Sequence, residues 1–448
     1  MTPRPKIIPS IRRDIHLLPI THQKQKWLLV HDSLVYVPKN TAFPAEIEHL
    51  LSFFTGYLTW DALAQMGLEL EDVTLFEQIY FEMDRLGLLN SIGYQRRKQE
   101  VDEAFLKEKN RPMICADSVF PSDPGEAKVF FDKILAQCED VKTELKPKAL
   151  YAPHIDFNVN TSVYGKAFKP LKQIKPKHVY IIGTSHYSGL DKNYDHFPFQ
   201  FSNKNFSVPG RILKNGTEKT KNLLEKTRDF GATDYDLSHR SEHSLELHAV
   251  WSSHIWKHDF TITPILVGSF DDTLYMKDSE LEKRTKEFSA ALQSVITEDD
   301  FILISGDLSH IGKKFGDKEE AELIFPKSKR FDYDFLQAAS QINPEKIYEL
   351  MVGGAKQGQA YKLIPMFDKY IKDLSLSADP GTKFPSLALD AKDIPSAQKD
   401  PNQANKDFAE FNFQNTPVAA ALATLSQKQS EIRRYESEVL NQLAAKVG

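Results

Sequence analysis

Four short segments carry residue types able to converge on one reactive site. ALYAPHIDF (149–157) runs from an apolar stretch into His154 and Asp156, and VYIIGTSHY (179–187) into Ser185, His186 and Tyr187. FILISGDLSH (301–310) runs into Asp307, Ser309 and His310. The fourth, SHRSEHSLELH (238–248), places His239, Glu242, His243, Glu246 and His248 where a helical pattern begins. Neutral imidazole is the commonest metal ligand and a general base near pH 7. Two imidazoles and one oxygen ligand from three strand ends would leave coordination positions open for oxygen and substrate, as in non-haem iron sites. His243 and Glu246 are i,i+3 and share a helix face, whereas His248, at i+5 from His243, diverges. His248 falls beside the stripe Leu247, Val250, Trp251, where a core-edge histidine serves equally well. His239, His254 and His258 read as surface residues.

The elements that must position these residues follow from pattern. ALYAP, HVYIIGTSH, FTITPILVGSF and FILISGD are short, continuous apolar runs, the mark of strands buried on both faces. Amphipathic stretches at 127–138, 247–256 and 281–295 separate them, giving an α/β domain with a largely parallel or mixed sheet. In such sheets ligands gather beyond the carboxyl ends of the strands, which is where these loops lie. Toward the N-terminus, KWLLVHDSLVYVP (26–38) reads as two strands around a turn at His31–Ser33. Helices are expected over 45–56, over 59–66, and over 72–86 with Gly87 as the stop. This β-β-α-α-α order makes a small module over 1–93, followed by a charged connector at 94–111 and the α/β domain over 112–425. Residues 372–417 read as a loop insertion, and 426–448 as a polar C-terminal helix.

The chain has 448 residues, net charge −5 and 41% apolar residues, values of an ordinary globular protein. Nothing in the charge pattern is a nucleic-acid footprint, and no apolar run reaches the length of a membrane span. Cys115 and Cys138 are too few for a disulfide framework or a zinc ribbon, and both lie outside the four segments. A reducing cytoplasm is the expected compartment. GxGxxG, GxxxxGK[ST], GxSxG and HExxH motifs are all absent, and Gly353–Gly354 reads as a turn.

Taken in order, RPMICADSVFPSDP, APHIDF, IIGTSHY, SEHSLELH, ITPILVGSF and SGDLSHIGKKF resemble the Memo family, including the AmmeMemoRadiSam system protein B members, from about Arg111 to Ser426. The resemblance implies an α/β fold like that of class III extradiol dioxygenases, with a histidine-lined pocket that takes iron or copper. It places the metal-ligand histidines on His154 and His186 and a pocket acid/base on His243. The third ligand position, a cysteine in some animal relatives, falls on Ser309. A serine hydroxyl is a poor ligand for Fe(II) and lacks the soft thiolate that suits copper, so Asp307, His310 or water stay open as the third position. Asp156 departs from the small residue of the family and adds a carboxylate behind the ligands. Ser185, Tyr187, Glu242, Glu246 and His248 would line or support the pocket.

The N-terminal module resembles PqqD-like winged-helix domains that bind leader peptides, through HDSLVYVP, FFTGYLTWDALA and LFEQIYFEMDRLGLLNS. A peptide or partner protein, a radical-SAM enzyme or an AMMECR-type protein are the implied partners; nucleic acid and membrane are not. Its third helix, EDVTLFEQIYFEMD, is acidic where a recognition helix is basic. The expected activity is a metal-dependent oxidoreductase using Fe(II), with Cu second. The rivals are a metal-free peptide-binding module and a metallohydrolase.

Overall fold

The computed structural model describes residues 4–350, except 67–69, 141–146, 188–196, 269–278, 313–316, 342, 344, 345 and 348. The readings made for 353–354, 372–417 and 426–448 lie outside the described residues. The chain forms two compact units, with a boundary between Lys107 and Glu108.

In the first unit, β1 (Ile15–His22) and β2 (Gln25–Asp32) form an antiparallel hairpin closed between His22 and Gln25. Gln23 and Lys24 both take positive φ, 47° and 67°. A two-residue hairpin turn of this hand normally calls for Asn-Gly or a similar pair. Gln-Lys carries no such signal, which is why the sequence pattern put the turn at His31–Ser33. That expectation is corrected: the Asp32 carboxylate accepts the N–H groups of Leu34, Tyr36 and Val37 and pairs with buried Arg12 at 3.0 Å, and the strand stops there. β3 (Ala42–Pro44) adds to β2. Then come α1 (Glu48–Leu51), α2 (Trp60–Gln65), α3 (Leu70–Leu86) and α4 (Ile92–Lys107). Thr59 caps α2 by accepting the Ala62 N–H, and Gly87, with φ +83°, ends α3. The order is thus β-β-β-α-α-α-α, and most of the charged connector is helix. Phe76, Ile79, Tyr80 and Met83 of α3 bury against Leu28, Val30 and Trp60.

The second unit contributes β4 (Asn110–Arg111), α5 (Pro124–Ala136), β5 (Ala149–Ala152), α6 (Ser162–Phe168) and β6 (His178–Thr184). Next are β7 (Phe199–Phe201), β8 (Asn205–Val208), β9 (Arg211–Asn215), α7 (Thr217–Thr227) and β10 (Ala232–Thr233). Last are α8 (Ser244–Ile255), β11 (Thr261–Val267), α9 (Glu280–Val295), β12 (Asp300–Ser305) and α10 (Ala321–Ser340). The sheet runs β4-β8-β9-β11-β6-β12-β5, with β7 pairing antiparallel to β11 and parallel to β10. Its centre, β11-β6-β12-β5, is parallel throughout. This is a mixed α/β sheet flanked by helices.

Alternation assigns the two faces. Val179, Ile181, Phe301 and Leu303 pack with Phe131, Phe168 and Trp251 of α5, α6 and α8. Tyr180, Ile182, Ile302 and Ile304 pack with Leu223, Phe288 and Phe335 of α7, α9 and α10. Both faces are covered, which explains the uninterrupted apolar runs. Pro264 sits inside β11, where a missing N–H would normally break a ladder. It lies beyond the residues that pair with β9, its carbonyl accepts the Ser202 N–H, and the Ser202 carbonyl takes the Asn215 side-chain amide in place of the missing N–H.

Candidate metal centre

Because β5, β12 and β6 are parallel neighbours, their carboxyl ends lie on one edge of the sheet. The following loops bring His154, Asp307 and His186 to that edge, and the start of α8 brings Glu242 and His243. His154, His186 and His243 each offer a ring nitrogen, and these atoms lie within 4.8 Å of one another. The rings of His186 and His243 stack at 4.7 Å, and His154 stands edge-on to both. Gly183 permits the approach of α8: a Cβ there would lie 2.7 Å from Leu245 Cδ2 and 3.0 Å from Ser244 Oγ.

The hydrogen bonds fix the tautomers. Ser305 Oγ donates its single proton to the Ser244 carbonyl (2.7 Å), so at the His154 Nδ1 contact (3.1 Å) the imidazole is the donor. Glu242 accepts from His186 Nδ1 (2.8 Å), and also from the N–H groups of His186, His243 and Ser244. Both Nδ1 atoms therefore carry protons, and in the neutral rings both Nε2 atoms present lone pairs, 3.3 Å apart. Burial pushes His154 down to about 3, against the pull of Asp307, so it stays neutral. Burial likewise lowers His243. Burial alone would raise Glu242, but His186 and His243 outweigh it and hold this carboxyl well below its usual range.

Asp307 closes the cluster. Its Oδ1 accepts the His154 backbone N–H (2.7 Å); its Oδ2 lies 3.5 Å from His154 Nε2 and 3.3 Å from His310 Nε2. Burial works against its charge, but His154 and His310 prevail and hold it low. His310 keeps about a third of its side chain exposed.

The other residues singled out in the sequence take different places. Ser309 Oγ donates to Asp332 Oδ1 at 2.6 Å and its N–H goes to the same oxygen, so its hydroxyl is turned to α10 rather than to the imidazoles. Burial pushes Asp332 up to about 6. Asp156 is exposed and accepts the Asn158 N–H. Ser185 lies 3.4 Å from the Gln200 side chain, and the Tyr187 ring sits 5.9 Å from that of His186. His248 is fully buried, with Nε2 donating to the Pro153 carbonyl, and Glu246 is fully buried against Arg111. His239, expected on the surface, is 1% exposed with Nε2 on the Gln200 carbonyl; His258 and His254 are half-buried. That reading is corrected: β7 covers this segment, and three-residue strands give no periodic signal. Sequence reasoning missed Ser244 and Ser305. Ser305 carries a weak signal, a polar residue ending an apolar strand at a position that faces the core.

A family model described as Memo-like protein matches residues 111–367, and one described as GldM N-terminal domain matches residues 322–446. A MEMO1 family protein of Aquifex aeolicus is 24% identical over 276 residues, covering 61% of this chain and 67% of that protein. One of Thermus thermophilus is 25% identical over 271 residues, 60% of this chain and 75% of the relative. Protein MEMO1 of Xenopus laevis is 24% identical over 242 residues, 51% and 73%. The Memo-like match takes in more than half of the sequence and every residue of the imidazole cluster, and the chain belongs to the Memo-like family.

Proposed function

We propose that His154, His186 and His243 hold a mononuclear metal ion, Fe(II) first and copper second, and that the chain is a metal-dependent oxidoreductase. The observation that carries this reading is the pair of Nε2 lone pairs facing each other at 3.3 Å. With both rings neutral, neither has a proton to offer the other, because each Nδ1 proton is already committed. Two opposed lone pairs at that distance repel, and a cation shared with the His243 ring relieves them. The donor set is nitrogen with a nearby carboxylate, which suits iron better than Cu(I).

When bound, the ion supplies Lewis acidity and, as iron, one-electron chemistry toward oxygen. The chain's own residues do the rest. Glu242 and Ser305 hold His186 and His154 with Nε2 facing inward. Asp307 and half-exposed His310 form an acid–base pair at the rim, able to take a proton from substrate and pass it outward.

Metal content after anaerobic purification without chelator, measured beside His154→Ala/His186→Ala, tests this. About one iron per chain in the wild type, lost in the double variant, and oxygen consumption with an oxidisable substrate support the oxidoreductase. A bound metal that activates water with no oxygen uptake means a metallohydrolase. No metal, even after Fe(II) or Cu(I) addition, means a peptide-binding pocket. The first unit we assign, on its resemblance to PqqD-like domains, to docking a peptide or a radical-SAM or AMMECR-type partner. Titrating the full chain with such proteins tests that assignment.

A further inference from the structure

Two buried carboxylates stand one helical turn apart at the head of α8, and only one serves the imidazoles. Glu242 is committed to His186 and to the N–H groups that follow it. Glu246 accepts the N–H groups of Ile114 (2.9 Å) and Cys115 (2.8 Å) and pairs with Arg111 Nη1 at 2.5 Å. Arg111 is itself 1% exposed, with the Phe206 ring 4.9 Å from its guanidinium carbon.

The remaining guanidinium bonds go to backbone. Nε donates to the His239 carbonyl (2.7 Å), Nη1 also to the Pro112 carbonyl (3.2 Å), and Nη2 to the Glu242 carbonyl. Residues 240–243 lie between the short 3-10 turn Asp236–His239 and α8 and belong to no regular element. Arg111 therefore grips both ends of the irregular segment that delivers Glu242 and His243. A planar fork can do this because its donors are fixed relative to one another; a lysine ammonium offers one point instead. Glu246 supplies the charge that lets the cation lie buried.

We propose that Arg111, locked by Glu246, is a positioning residue for the imidazole cluster: through the Glu242 and His239 carbonyls it sets the direction of the Glu242 carboxylate and of the His243 ring. This rests on reading the cluster as a metal centre. The test uses the ¹⁵N-labelled full chain and Co²⁺ alone as the probe. In the wild type the His186 ring is expected to show the single Nδ1–H tautomer without metal. Arg111→Met is expected to mix the tautomers and to weaken Co²⁺ binding roughly tenfold or more, the range for residues that orient ligands from behind. Arg111→Lys keeps the charge and is expected to show a smaller loss in both readouts; it carries the test alone if Arg111→Met does not fold. A folded variant with the wild-type tautomer and Co²⁺ affinity overturns the proposal, whatever its thermal stability. A wild type that takes no Co²⁺ removes the metal reading, and the tautomer comparison then decides the positioning role by itself.

Discussion

Strand β6 starts at one histidine and leads into another, and the difference between them separates a structural imidazole from one placed for chemistry. His178 opens the strand. Thr220 Oγ donates to Asn215 Oδ1, which leaves its lone pairs for the Thr263 hydroxyl. Thr263 in turn accepts from His178 Nε2, and Thr261 Oγ donates to His178 Nδ1. Every ring nitrogen has a partner and the proton order is unique. Beyond the other end, His186 and His154 give their Nδ1 atoms to Glu242 and Ser305. Their Nε2 atoms face one another at 3.3 Å, with Asp307 Oδ2 3.5 Å from that of His154. His178 is fully buried and His186 partly exposed, and they differ also in what faces the second nitrogen: a threonine hydroxyl at His178, another imidazole at His186.

The comparison can be broken most sharply at Glu242. Glu242→Ala removes the acceptor of four hydrogen bonds, and we expect metal affinity to fall about 10- to 100-fold, by titration calorimetry, with on the order of 3 kcal/mol lost in urea unfolding. Gly183→Ala drives a methyl into Leu245 and Ser244 at the same edge. It should cost about 2–3 kcal/mol as an overpacking change and reduce metal occupancy at fixed concentration. An unchanged occupancy would separate the packing of α8 from the cluster.

The amino end answers to pH instead. Burial pushes His178 down to about 4, against the pull of Asp300, so an unfolded chain binds more protons than the folded one between that value and the ordinary range near 6.5. Stability is therefore full above about pH 6.5 and declines as pH falls toward 4. Urea midpoints at pH 7.5 and 5.0 should show it, with His178→Gln recovering on the order of 2 kcal/mol of the pH-dependent loss and leaving metal affinity alone. The smallest effect is expected at Ser309. Ser309→Ala should change metal affinity less than about twofold, because its hydroxyl already belongs to Asp332. A tenfold loss would return Ser309 to the ligand set.

The sheet was legible from sequence where strands are covered on both faces, as in β6 and β12. The hairpin of the first unit was misplaced because its turn residues, Gln23 and Lys24, bear no turn chemistry. At the site, strand-end placement exposed His154, His186 and Asp307. The orientation of the rings was not legible, because it depends on Ser305 reaching the Ser244 carbonyl across 61 residues. Nor could sequence tell buried His239 from an exposed one, since its partner is a backbone carbonyl on β7.

One part of the core makes the site observable without a label. Trp251 lies on α8, the helix headed by His243, stacked within 3° of the Tyr164 plane and 4.8 Å from Phe131. Its indole is fully buried. It is thus a built-in optical gauge: emission present in the wild type and absent from Trp251→Phe will report, at blue-shifted wavelength, how firmly α8 is seated. Filling or emptying the imidazole cluster can then be followed in real time as a change in light.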